Sequence, residues 1–420
     1  MADDSSAETT RRQFFRLLGR QTTKGAGDLF GTVNTLRRTS AEAAGALLGW
    51  TDERPPFESG TFRSPYRYVE GRLLILDQRQ LPERIETISC HDPNEVAAAM
   101  RAGAVGGGPV LGQLAAHAAA QAVAQLRNAP AQQRRSALGA ATATLRAARP
   151  TQQAIRHALS RIESVDQRLA DDVDGATHAR ALFDEAEAIS LAAALDHGRL
   201  GRAGADHLGT AEDAGGTAAP ARPLALLVHG DGGALSGGIV GTSFAVVSAL
   251  VAAGRNVHAW LTEAAPSFEG ARLGARQLTE LGIPHTVVAD TAVSWLLDHR
   301  PVDAVLLRAD WVCANGDVAA PLGSLNVARL AAPVGVPVYA CAALSMVDTS
   351  TRTGEQVPAE LRAPADGAIG PRLDPAADVV PAELLTGLLS DAGVLRPPYG
   401  EALAAAVAAN DVEAAAMAQR

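Results

Sequence analysis

The stretch that most constrains how this chain folds is LALLVHGDGGALSGGIVGTS, residues 224–243. Leu224 to His229 form a largely apolar run, followed by a glycine-rich turn and an apolar helical pattern from Val240. Such a run, bounded by glycines and leading into a helix, reads as a buried parallel strand feeding a crossover. The signature recurs: strands are expected at 224–229, 256–263, 285–290, 303–310 and 336–343, with helices near 240–252, 271–282, 291–299 and 323–332. Strand–helix repetition at this spacing implies a parallel sheet covered on both faces. Ligands of such sheets sit beyond the carboxyl ends of the strands. The glycine turn and Asp310 both fall there.

The preceding sequence has a different grain. Residues 66–82, YRYVEGRLLILDQRQLP, read as a β-hairpin about Glu70-Gly71, and Asp92 to Leu200 is alanine-rich with helical periodicity. The break at Gly106-Gly107-Gly108-Pro109 suits a helix N-terminus, where free amides can hold an anion, although most Gly-Pro breaks are merely turns. Residues 201–223, small and polar with a proline tip, read as a linker. Pro381 to Asp391 and Gly400 to Met417 read as helices. The expected class is α/β, a Rossmann-like parallel-sheet domain over 224–420 preceded by a smaller β-hairpin plus helical-bundle domain over 57–200. Residues 1–56 form an N-terminal extension ending at Pro55-Pro56.

Composition removes several functions. A net charge of −9 argues against a nucleic-acid footprint. Lys24 is the only lysine among 37 basic residues, and it lies in the extension, which argues against a Schiff-base mechanism. Cys90, Cys313 and Cys341 have no metal-ligand spacing and are too few for a disulfide framework, which suits a cytoplasmic protein without metal or cofactor. No apolar run approaches the ~18 residues of a membrane span. Thr10 to Phe15 resembles a twin-arginine export motif, but Arg20, Lys24 and Asp28 interrupt the apolar region that must follow. The preferred reading is an amphipathic helix with Phe14, Phe15, Leu17 and Leu18 on one face. It docks on the protein itself or serves a protein partner.

At GRLLILDQRQLP the chain resembles the methylthioribose-1-phosphate isomerase family, aldose–ketose isomerases of methionine salvage. That family is related to the alpha, beta and delta subunits of the guanine-nucleotide exchange factor for translation initiation. Further matches are Ala148-Arg149-Pro150-Thr151, Gly270-Ala271-Arg272-Leu273, Ala314-Asn315-Gly316-Asp317-Val318, Ala343-Leu344-Ser345 with Asp348, Asp378-Val379 with Pro381 to Leu384, and Gly393-Val394 with Arg396 to Tyr399. The resemblance spans about Tyr66 to Tyr399. It implies a homodimer and a phosphorylated small-molecule ligand.

The resemblance also implies where the site has changed. The family's catalytic cysteine in His-Cys-Asn falls at Gly230 of His229-Gly230-Asp231. Its catalytic aspartate matches Asp310 in Arg308-Ala309-Asp310-Trp311. The arginine of its phosphate loop falls at Gly106, ahead of Gly107 and Gly108, and its Asn-Lys pair falls at Ala320-Pro321. Its substrate glutamine matches Glu269, Arg149 survives, and Asn315 belongs to the retained Asn-Gly-Asp motif. Asp231 and Cys341 are the substitutes weighed for the missing thiol. An aspartate in a glycine turn more often bonds its own backbone, and a buried structural role is the ordinary one for a strand-end cysteine. Arg308, two residues from Asp310 along a strand, should share its face. Its charge should favour the carboxylate form, unless the two simply form a structural ion pair. His229 reads as structural, and Trp311 as bulk that reshapes the pocket.

Losing two cations costs several kcal/mol of phosphate binding, at ~1.5–3 kcal/mol per charge-assisted hydrogen bond. The expectation is therefore an isomerase-like protein with weak or absent standard activity. The alternative is a non-catalytic ligand- or partner-binding regulatory protein on the same fold.

Overall fold

Leu224–His229 (β4) is buried at every position, as a continuous Val/Leu-type run predicts for a strand covered on both faces. A computed structural model describes residues 64–210, 222–362 and 373–418. The expected amphipathic helix of residues 1–56 therefore lies outside the described residues. β4 lies inside a seven-stranded sheet with Val257–Thr262 (β5), His285–Val288 (β6), Ala304–Arg308 (β7), Val338–Cys341 (β10), Gly387–Ser390 (β13) and Gly393–Leu395 (β14). The spatial order is β14-β13-β10-β7-β4-β5-β6. All neighbours are parallel except the edge pair β13–β14.

The order matters for function. From β4 the chain moves outward through β5 and β6, then returns to place β7 on the other side of β4. The carboxyl ends of β4 and β7 thus flank the switch point at which open α/β sheets hold ligands.

Period-2 alternation sorts the sheet's side chains. Leu227, Val305, Leu307, Val338 and Ala340 enter one core. Leu226, Val228, Ala304, Leu306 and Cys341 enter the core on the opposite face. The covering helices include Ser243–Ala252 (α6), Ala275–Glu280 (α7), Val293–His299 (α8) and Ser324–Ala331 (α9). Expected strand and helix centres match these, with ends displaced by a few residues. A π-helical turn at Gly270–Gly274 replaces the first part of the helix expected from 271.

The N-terminal part is a three-stranded antiparallel sheet of Tyr66–Val69 (β1), Arg72–Leu76 (β2) and Thr87–Cys90 (β3), followed by five helices. Pro93–Arg101 (α1), Ala131–Ala148 (α3), Gln153–Arg168 (α4) and Gly175–Thr210 (α5) surround Pro109–Gln125 (α2). α2 is buried from Pro109 to Val123, and its polar stripe of Gln113, His117 and Gln121 is buried with it, bonded to the Gly237, Gln113 and Gly71 carbonyls. From Arg63 onward the chain is one compact unit.

Two expectations need correction. Residues 201–210, read as the start of a linker, are the last three turns of α5. Their glycines are packing sites: a Cβ on Gly201 would lie 2.8 Å from the Ala245 carbonyl oxygen, and one on Gly204 would lie 2.7 Å from Val246 Cγ2. Residues 211–221 lie outside the described residues. Pro381 to Asp391 is not a helix but a short 3-10 turn, Ala382–Leu384, and strand β13. Gly387 admits the neighbouring strands closely: a Cβ there would lie 3.1 Å from the Leu395 carbonyl oxygen and 3.4 Å from the Tyr339 ring. The sequence also hid a four-stranded sheet of Val347–Asp348 (β11), Trp311–Cys313 (β8), Val318–Pro321 (β9) and Ala377–Val380 (β12), in that spatial order. These strands are too short for a periodicity signal. The C-terminal helix, Tyr399–Ala418 (α10), is present as expected.

Candidate active site

At the end of β4 the backbone turns on Gly230, whose φ of +70° lies in the left-handed region that favours glycine. Asp231 follows and closes an Asx turn: its Oδ1 accepts from the Gly233 amide at 2.9 Å and from Gln277 Nε2 at 2.8 Å. The sequence preference for a backbone-bonding aspartate is met. Burial nevertheless pushes the Asp231 carboxyl up to about 6. The carbonyl of Asp231 accepts from Ser236 Oγ and Arg308 Nη1.

Arg308 ends β7 and is buried, at 3% exposure. Its Nε donates to Asp310 Oδ1 at 3.2 Å, as the shared strand face predicts, and its Nη1 lies 3.6 Å from Glu269 Oε1. Burial works to lower the guanidinium pKa, but Asp310, Glu269 and Asp231 outweigh it and raise it. Three carboxylates therefore converge on one guanidinium. Burial also works to raise Glu269, while Arg308 and Arg362 hold it below the ordinary glutamate range. Glu269 Oε1 is buried without a hydrogen-bond partner.

The glycine loop before α2 joins this cluster. A Cβ on Gly107 would lie 3.2 Å from both Arg308 Nη2 and Asp310 Oδ2. Gly108 has a φ of +101°, and a Cβ there would meet the Ser236 carbonyl oxygen at 3.0 Å. Two of the loop's amides are already taken by side chains. The Gly108 amide donates to Gln152 Oε1 and the Gly106 amide to Gln78 Oε1, each at 2.8 Å. Gln152 Nε2 in turn donates to Asp310 Oδ2 at 3.1 Å. Gln152 and Gln277 lie outside the matched motifs and Gln78 inside GRLLILDQRQLP, but nothing local marks any of the three as a partner of this site. Only the tertiary fold brings residues 28 to 158 positions apart together.

The remaining candidates are placed differently. Arg149 is buried and paired with Glu360, Nε to Oε1 at 2.5 Å, while Thr151 Oγ1 donates to Glu360 Oε2 at 2.6 Å. Its charge is thus neutralised by a carboxylate 211 positions later in the chain. Asn315 is exposed and bonds Asp317 within its own turn, at 2.8 and 3.0 Å. It is not among the residues that meet Arg308. His229 is a structural residue: Nε2 donates to the Leu322 carbonyl at 2.9 Å and Nδ1 accepts from Thr262 Oγ1 at 2.8 Å. Burial pushes its pKa down, in keeping with a neutral ring. The Cys341 thiol is wholly buried and its pKa is raised by burial, so it offers no thiolate in place of the missing one. Trp311 is buried with the Arg156 guanidinium 5.2 Å from its ring centroid. Among the described residues no group of three or more His, Cys, Asp or Glu could hold a metal ion.

Comparison with known proteins agrees with this fold. Residues 104–397 match the Initiation factor 2 subunit family. The methylthioribose-1-phosphate isomerase of Synechococcus sp. (strain CC9605) is 35% identical over 350 residues, covering 80% of this chain and 95% of that protein. The isomerase of Pelotomaculum thermopropionicum is 33% identical over 344 residues, covering 80% and 91%. Among solved structures, 5-methylthioribose 1-phosphate isomerase from Pyrococcus horikoshii OT3 superposes with a TM-score of 0.68 at 28% identity, over 84% of this chain and 98% of that one. The delta subunit of translation initiation factor eIF-2B from A. fulgidus gives 0.62 at 25% identity, over 80% and 96%. Motifs, topology and these matches coincide: the chain belongs to the Initiation factor 2 subunit family, and within it is methylthioribose-1-phosphate isomerase-like.

Proposed function

We propose that this protein is an aldose–ketose isomerase-type protein adapted to a sugar without a phosphate, with weak or absent turnover of methylthioribose-1-phosphate. The observation that carries this reading is the engagement of Arg308. Its guanidinium already faces Asp310, Glu269 and the Asp231 carbonyl. A phosphate of about −1.5 to −2 charge wants charge-assisted donors. Here it would meet carboxylates instead, at about 3 kcal/mol per pair of unit charges ~5 Å apart at an effective dielectric of ~20. The pairing of Arg149 with Glu360 and the glutamine-capped loop amides add to the same conclusion. An uncharged polyol avoids this repulsion and finds hydroxyl partners in the carboxylates.

Incubation of the purified protein with methylthioribose-1-phosphate tests the reading. The expected result is no turnover at ordinary enzyme rates of ~1–1,000 s⁻¹. Turnover at such rates, abolished by Asp310→Asn, would overturn it. A second reading, a non-catalytic binding protein, draws on the same internally satisfied network. Thermal-shift screening separates the two: stabilisation by neutral sugars supports the enzyme, and indifference to every sugar supports the partner-binding alternative.

A further inference from the structure

At the end of β4, the space beside residue 230 is taken by a side chain from elsewhere. A Cβ built on Gly230 would lie 3.0 Å from Glu269 Oε1 and 3.8 Å from Glu269 Cδ, so the carboxylate stands where a side chain at 230 would project. That oxygen is buried without a hydrogen bond, and Glu269 as a whole is 8% exposed. An ionised oxygen inside a protein is costly to leave without a donor, and a ligand hydroxyl would supply one. Asp310 is fixed by the same guanidinium, at Nε, and by Gln152. The two carboxylates therefore meet one cation at different nitrogens, Nη1 and Nε, as a reaction that passes through an enediolate would use them.

We infer that Glu269 is the catalytic base of this site, working opposite Asp310 on the open-chain form of an uncharged aldose, and the inference rests on the isomerase-type reading above. Glu269 takes the proton from C2, and the C–H electron pair becomes the C1–C2 double bond. The carbonyl pair moves onto O1, whose negative charge Arg308 faces. Asp310 takes the O2 proton and passes it to O1. Glu269 then returns its proton to C1 as the O2 electron pair closes the new carbonyl. No oxidant, reductant or co-reactant is consumed. Arg308 keeps Glu269 ionised and hence basic, while Gly230 is the residue that leaves room for it.

The proton held on Glu269 should exchange with solvent, which gives a readout independent of the net equilibrium. In D2O, proton NMR follows loss of the C2 proton from 5-methylthioribose and ribose, with 5-methylthioribose-1-phosphate in parallel. The full-length parent should wash out the C2 proton of an uncharged sugar. Glu269→Gln, which keeps the side-chain shape, should slow this at least ~100-fold, the usual loss on removing a general base. Glu269→Asp should retain part of the rate. The rate should also hold as pH falls below the ordinary glutamate range. Melting curves of the variants show whether they are folded. A parent rate in folded Glu269→Gln would overturn the assignment while leaving the isomerase reading standing. A parent that exchanges no sugar at all overturns both. A parent that prefers the phosphorylated sugar, with Glu269→Gln inactive, overturns only the phosphate-free substrate.

Discussion

Asp231 illustrates how a single residue carries opposite demands. Its carboxylate closes the turn after β4, yet burial raises it from the usual 3.8 to about 6. An acid whose folded-state pKa is raised binds more protons folded than unfolded between those values. Stability from this group is therefore greatest below about pH 4, falls as pH rises to about 6, and stays lower above. At 1.36 kcal/mol per unit, the full effect is of order 3 kcal/mol. Asp231→Asn keeps an oxygen for Gly233 and Gln277 but cannot ionise. Its stability relative to the parent should rise between pH 4 and pH 7, by up to about 3 kcal/mol, in paired urea melts across that range. A difference independent of pH would count against a buried, titrating Asp231. At this scale much was legible: the turn-forming role of Asp231 and the adjacency of Arg308 to Asp310 follow from local chemistry. The vacancy at Gly230 was legible too, but its filling by Glu269 was not, because nothing local links two residues on different loops.

At the scale of the element, α5 is where sequence and structure part most clearly. Glycine, alanine and polar residues over 201–210 carry the composition of a linker, and glycine is a poor helix former. The helix continues because its glycines let α6 approach, with Leu200, Ala205 and Leu208 entering the core beneath the sheet. Gly201→Ala should therefore destabilise, by roughly 1–3 kcal/mol from overpacking, although the same change in an open helix gains up to ~1 kcal/mol. Gly209 is the control: its added Cβ would make only ordinary contact, 3.8 Å from Leu250 Cδ2. Gly209→Ala should be neutral or stabilising. Chemical denaturation of the two variants reads the signs directly. The strand β13 was misread as helix for a related reason. Short apolar runs have no decisive period, and the open edge of β10 decides the outcome.

Across the whole molecule, the helical part and the sheet are held together at the site itself. Gln78 reaches the Leu235 carbonyl, and Gln152 reaches Asp310. Arg149 at the end of α3 reaches Glu360, in the segment whose carbonyl also anchors Ala376. The Arg149 and Glu360 side chains are only 10% and 12% exposed. Removing one partner of a buried pair leaves the other uncompensated, at about 3–5 kcal/mol. Arg149→Met should thus lower the unfolding free energy by that order, seen as a lower urea midpoint with unchanged slope. If the midpoint stays within error of the parent, Arg149 is not a structural tie and its charge is free for a ligand. The sequence by itself determined the class of fold, the switch-point strands and the family, because strand–helix periodicity and contiguous motifs are local properties of the chain. Only the tertiary structure decided what the residues around the switch point do. The charge balance around Arg308, the neutralisation of Arg149 and the side chain standing beside Gly230 arise from residues far apart in sequence, whose electrostatics exist only once folding has removed the water between them.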